Sequence, residues 1–98
     1  MKTILVVDDK LPIRRLIQIN LEHAGYRVET AENGQQAWER LQQGGIDLVV
    51  TDTTMPVMDG YELRTAMERD PMLSTIPCLL LSDMPQNLRE QVQKRLGR

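Results

Sequence analysis

Three aspartates, far apart in the chain, are the residues whose types and positions best suit chemistry. Asp8 and Asp9 follow the apolar run Ile4-Leu5-Val6-Val7, and Asp52 follows Ile46-Asp47-Leu48-Val49-Val50-Thr51. Carboxylates brought together repel, which raises at least one pKa unless a cation neutralises them. Hard oxygen donors with open water positions suit Mg2+. A metal held by two of the acids leaves the third carboxylate free to attack phosphorus, while the metal offsets charge on the transferred phosphoryl oxygens. Asp52 is the better nucleophile, because the irregular segment Thr53-Thr54-Met55-Pro56-Val57-Met58 after it leaves room for a phosphate.

That chemistry requires the acids to meet, and the element pattern says how. Ile4 to Val7 and Ile46 to Thr51 are short, largely β-branched runs ending in acids, the pattern of strands buried on both faces. Between them, Pro12 opens a first helix with Ile13, Leu16, Ile17, Leu21 and Ala24 at helical spacing, stopped by Gly25. Tyr26 to Thr30 alternates as a second strand. Asn33 then caps a helix carrying Ala37, Trp38 and Leu41, which closes at Gly44-Gly45. Asp59 and Glu62 have capping-box spacing ahead of a third helix with Leu63, Ala66 and Met67, broken by Asp70-Pro71. Pro77 to Leu81 is a fourth strand ending at Ser82, and Leu88, Val92 and Leu96 mark a fourth helix. Strands alternating with helices through short connections predict an α/β fold with right-handed crossovers and a parallel sheet covered on both faces. Ligands of such sheets bind at the carboxyl ends of the strands, where Asp8, Asp9, Asp52 and Ser82 would gather.

Composition narrows the function. A chain of 98 residues supports one small domain, residues 1–98, with no room for an output domain. A formal net charge of −2 and only Tyr26, Trp38 and Tyr61 as aromatics disfavour direct nucleic-acid binding. The single cysteine, Cys78, lies in an apolar run and reads as a buried thiol in a reducing cytoplasm. Neither a signal-peptide core nor a membrane-length apolar run is present, so a soluble, unexported protein is expected.

The ordered set Val6-Val7-Asp8-Asp9, Asp52-Thr53-Thr54-Met55-Pro56-Val57-Met58-Asp59-Gly60 and an apolar strand ending in Ser82 resembles the receiver domain of bacterial response regulators, collinear from residue 3 to the end. The resemblance implies a flavodoxin-like, doubly wound sheet of order 2-1-3-4. It implies that Asp52 accepts phosphate from a histidine kinase. Asp9 and the Asp52 carboxylate would bind Mg2+ directly, Asp8 would act mainly through water, and the Thr54 backbone carbonyl would complete the protein ligands. Ser82 would be the hydroxyl that moves onto the phosphate and reports it to the fourth helix.

The family's fifth strand, with its lysine and switch aromatic, and its fifth helix have no counterpart in this sequence, whose last element is matched to the family's fourth helix. Strand four would then be an exposed edge, predicting a homodimer through joined edges or exchanged terminal elements. The alternative function is a degenerate, unphosphorylated receiver acting as a protein-interaction or dimerisation module. A turnover phosphohydrolase is disfavoured, because the second acid typical of aspartate-nucleophile phosphatases is here Thr54.

Plainer readings accompany each residue. Asp8 and Asp9 taken alone read equally well as helix caps, and Asp52 as a solvated strand-end acid. Ser82 alone is ordinary turn chemistry. Lys10 reads as an exposed loop lysine with no specific role, the sharper reading being a compensating charge at the rim. His23 has no ligand partner at metal spacing, and Trp38 reads as a packing residue.

Overall fold

A computed structural model describes residues 1–81 and 87–96. The elements run β1 (Thr3–Val7), α1 (Leu11–His23), β2 (Arg27–Ala31), α2 (Gly34–Leu41), β3 (Leu48–Asp52), α3 (Gly60–Arg69), β4 (Cys78–Leu81) and α4 (Leu88–Arg95). The strands form one parallel sheet, as the alternating pattern predicts, in the order β2-β1-β3-β4 that the receiver-domain resemblance implies. Every residue of β1 and of β3 is buried, which is why both read as continuous apolar runs rather than as alternating ones.

The capping signals do what their chemistry suggests. Asn33 accepts a hydrogen bond from the Gln36 amide at 2.8 Å and starts α2. Asp59 and Glu62 form both halves of a capping box at the start of α3. Gly44 and Gly45, which end α2, both have positive φ, a conformation that costs glycine little.

Two apolar layers sandwich the sheet. On one face, Leu5, Val7 and Val49 pack with Ala37 and Leu41 of α2 and Leu63 and Met67 of α3. On the other, Ile4, Val6, Leu48, Val50, Leu79 and Leu81 pack with Ile17 and Leu21 of α1 and Leu88 and Val92 of α4. The predicted α1 stripe needs one correction. Ile13, Ile17 and Leu21 point inward at four-residue spacing, whereas Leu16 is 55% exposed, because it stands about 100° away from Ile17 around the helix.

The placement of α4 is the larger correction. α2 and α3 both carry the chain toward the β4 edge and lie on one face, as right-handed crossovers in that direction must. A crossover from β4 to a strand beyond it would lie on that same face. α4 lies instead beside α1, where the Arg89 side chain donates to Asn20 Oδ1 at 3.3 Å. It is therefore not the crossover helix that matching it to the family's fourth helix implied. With α4 on the α1 side, the other face of β4 is covered only in part among the described residues, by α3. Cys78 and Leu80 are only partly buried there, and a groove of about 410 Å³ runs past Arg64, Glu68, Ile76 and Leu80.

Candidate functional site

The register of the central strands brings the acids together. Val7 of β1 lies opposite Thr51 of β3, so the next residues, Asp8 and Asp52, emerge side by side at the carboxyl end of the sheet. Asp9 joins them, and one carboxylate oxygen from each of the three lies within 4.8 Å of the others. Asp8 is 5% and Asp52 9% exposed, whereas Asp9 faces solvent. An all-carboxylate donor set with one open side fits a hard divalent cation that keeps part of its water shell.

The chain around the acids is held at several points. Asp8 Oδ1 accepts from the Lys10 backbone amide at 2.8 Å, and Arg14 donates to the Asp8 carbonyl at 2.7 Å. The plain alternative for Asp8 and Asp9 does not hold, since no side chain caps α1. Burial pushes the Asp8 carboxyl above its usual value; the Lys10 amide works against this, and the neighbouring Asp52 charge adds to it. The Asp52 carboxylate meets the Thr54 amide at a long 3.5 Å. The amide stands where a strand-end carboxylate turns into the following loop. Ser82, the remaining sequence candidate, lies outside the described residues.

Lys10 is not the idle loop lysine expected. Its Nζ lies 3.0 Å from Asp52 Oδ2, 3.1 Å from Asp9 Oδ1 and 3.8 Å from Asp8 Oδ1. The Asp52 and Asp9 carboxylates hold its ammonium above its ordinary pKa. The physical reason is local: the Lys10 amide bonded to Asp8 aims the side chain over three carboxylates that attract it. Reading the loop as solvent-exposed missed this, since the approach of Asp52, 42 residues away, has no local sequence signature.

Two glycines that sequence reading left without a role also shape the rim. A Cβ on Gly60 would stand 2.2 Å from the Asp52 carbonyl oxygen, so only glycine lets α3 begin against the end of β3. A Cβ on Gly34 would stand 2.4 Å from the Met58 carbonyl, which accepts a hydrogen bond from the Gly34 amide. Between these anchors, the Met58 amide bonds to Pro56 O at 2.9 Å around Val57, whose φ is +74°. This is a three-residue turn with a β-branched residue at positive φ, a strained arrangement in the loop that follows Asp52.

Comparison with known proteins agrees with this geometry. Residues 4–96 match the response regulator receiver domain family. The chain belongs to that family. It is 42% identical over 81 residues to the phosphate regulon transcriptional regulatory protein PhoB of Pseudomonas aeruginosa, covering 83% of this chain and 35% of PhoB. It is 49% identical over 74 residues to the response regulator receiver protein CpdR of Brucella abortus, covering 74% of this chain and 62% of CpdR. This receiver thus spans less than two thirds of either relative. Among solved structures, the response regulator TrrA of Thermotoga maritima in complex with Mg2+-BeF superposes with a TM-score of 0.80 at 32% identity, covering 98% of this chain and 100% of that one. TrrA has also been solved in complex with the histidine kinase ThkA, with a TM-score of 0.79 at 33% identity, covering 98% and 99% of the two chains. As a receiver, the chain is a signalling domain of a two-component system, with an acidic rim compatible with Mg2+. Among its described residues no helix is long and apolar enough to cross a membrane.

Proposed function

We propose that Asp52 accepts a phosphoryl group from a histidine kinase in the cytoplasm. One Asp52 carboxylate oxygen attacks phosphorus and forms an acyl phosphate as the donor's P–N bond breaks, the electron pair and a proton passing to the imidazole nitrogen. Asp9 and Asp52 would hold Mg2+ directly, Asp8 through water, with the Thr54 backbone carbonyl completing the protein ligands. When bound, the ion supplies charge compensation for the phosphoryl oxygens. Ser82 is the hydroxyl that moves onto the phosphate in this reading. The chain takes phosphate on itself rather than turning over a substrate.

The observation that carries this reading is the convergence of Asp8, Asp9 and Asp52 with Asp52 nearly buried at the end of β3. A domain that served only as a structural module has no use for three adjoining carboxylates at one rim. Fluorine NMR with beryllium, fluoride and Mg2+ tests it without relying on a donor's reactivity. Bound fluoride that disappears on chelating the metal or in Asp52→Asn is the expected result, and no bound signal from folded protein would defeat the proposal.

The open side of β4 favours a second element, self-association through that edge, which is also what an interaction module would use. Leu80 is only partly buried beside the groove, and an uncovered apolar edge strand invites pairing. Sedimentation should show a dimer at micromolar concentration that Leu80→Lys dissociates, whereas a monomeric parent protein would remove this element and leave the phosphoacceptor reading intact.

A further inference from the structure

We propose that Lys10 is a tethered counter-ion that competes with the divalent cation for the acid rim, so that metal binding must displace it. This inference rests on the proposed Mg2+ reading of the rim. Its ammonium lies within 3.8 Å of all three acids and within 3.1 Å of Asp52 and Asp9, the two carboxylates assigned as direct ligands. An ammonium is a compact point charge with three donors and no fixed plane, suited to several carboxylates at once. A Mg2+ ion about 2.1 Å from the same oxygens would meet a like charge at short range, so both cannot occupy the rim together.

The anchoring of Lys10 fits an occupant that can leave. The backbone amide is fixed on Asp8 Oδ1 at 2.8 Å, while the side chain is 58% exposed and held only at its tip. The rim can therefore exchange its cation without moving β1 or α1. Among the described residues, no other Lys or Arg side chain forms an ion pair with Asp8, Asp9 or Asp52. Without metal, Lys10 is what keeps two nearly buried carboxylates and their neighbour from destabilising the fold. With metal, that stabilisation becomes redundant, and the released ammonium faces solvent on a stem long enough to remain near Asp52.

Calorimetric titration with Mg2+ alone, paired with thermal melts in chelator and in saturating Mg2+, tests the idea on the parent protein, Lys10→Ala and Lys10→Arg. Lys10→Ala should bind Mg2+ about tenfold more tightly, and Lys10→Arg, which keeps the charge, should stay near the parent. Lys10→Ala should also melt lower in chelator and gain more from Mg2+, a crossover that a merely structural lysine would not produce. Equal or weaker Mg2+ binding by Lys10→Ala would overturn the proposal. Absence of Mg2+ binding in every variant, with all of them folded, would instead overturn the metal reading itself and the competition with it.

Discussion

The centre of the sheet and its β4 side are made from similar aliphatic residues, yet they end in different states. β1 and β3 are buried along their full length, and the loop after β3 is tied down by Gly34 N to Met58 O at 3.0 Å, Gly60 N to Thr53 O at 3.3 Å and Thr53 N to Leu81 O at 3.2 Å. β4 is buried on alternate residues only, because α4 covers its α1 side while, among the described residues, α3 covers the other side only in part. Thus the rim chemistry stands on a fully enclosed pair of strands, whereas the outer strand contributes one wall and an open face. The proposed phosphoryl transfer would depend on the first region, and the proposed self-association on the second.

The largest effect that would break this comparison is in packing. Leu5→Ala removes a side chain with no exposure and should cost about 3–5 kcal/mol. Leu80→Ala, on the open face, should cost less than about 1.5 kcal/mol in the same urea titration. Equal losses would show that β4 is as enclosed as the centre. Gly60→Ala comes next, at about 2–4 kcal/mol, because its Cβ must push the Asp52 carbonyl or α3 aside.

The pH dependence sharpens the account of Asp8. Its carboxyl is raised above the ordinary 3.8, chiefly by burial, so the folded protein holds this proton more tightly than the unfolded chain does. Its contribution to stability is present below that ordinary value and is lost as pH rises through the folded value. Without Mg2+, Asp8→Asn should therefore match the parent in strong acid and melt a few degrees higher near neutrality. It should also bind Mg2+ about 10–100-fold more weakly, as loss of an outer ligand does. An Asp8→Asn advantage that grows toward acid would reverse the sign and refute the burial argument. The smallest effect is at Val57, where Asn tolerates positive φ: Val57→Asn should stabilise by about 1 kcal/mol in denaturant titration.

Much of this was legible in the residues themselves. The strand runs at Ile4 to Val7 and Leu48 to Thr51, the cap at Asn33 and the box at Asp59 and Glu62 are local signals, and local chemistry formed them. The meeting of Asp8, Asp9 and Asp52 followed from their places at strand ends in a parallel sheet, whereas the strand order was carried by the family resemblance and not by any local spacing. What escaped were consequences of three-dimensional approach. The contact of Lys10 with Asp52 spans 42 residues and depends on a backbone bond to Asp8. The side of the sheet that α4 covers is not encoded in the spacing of Leu88 and Val92, which predicts an apolar helix face but not its partner. The need for glycine at position 60 appears only when the Asp52 carbonyl is in place.

Incubation with acetyl phosphate and Mg2+, read by intact mass and peptide mapping, tests the central claim most directly. A single phosphoryl adduct on the peptide containing Asp52, absent in Asp52→Ala and suppressed by chelator, is the predicted result. An unmodified but folded protein, or an adduct that persists in Asp52→Ala, would contradict it.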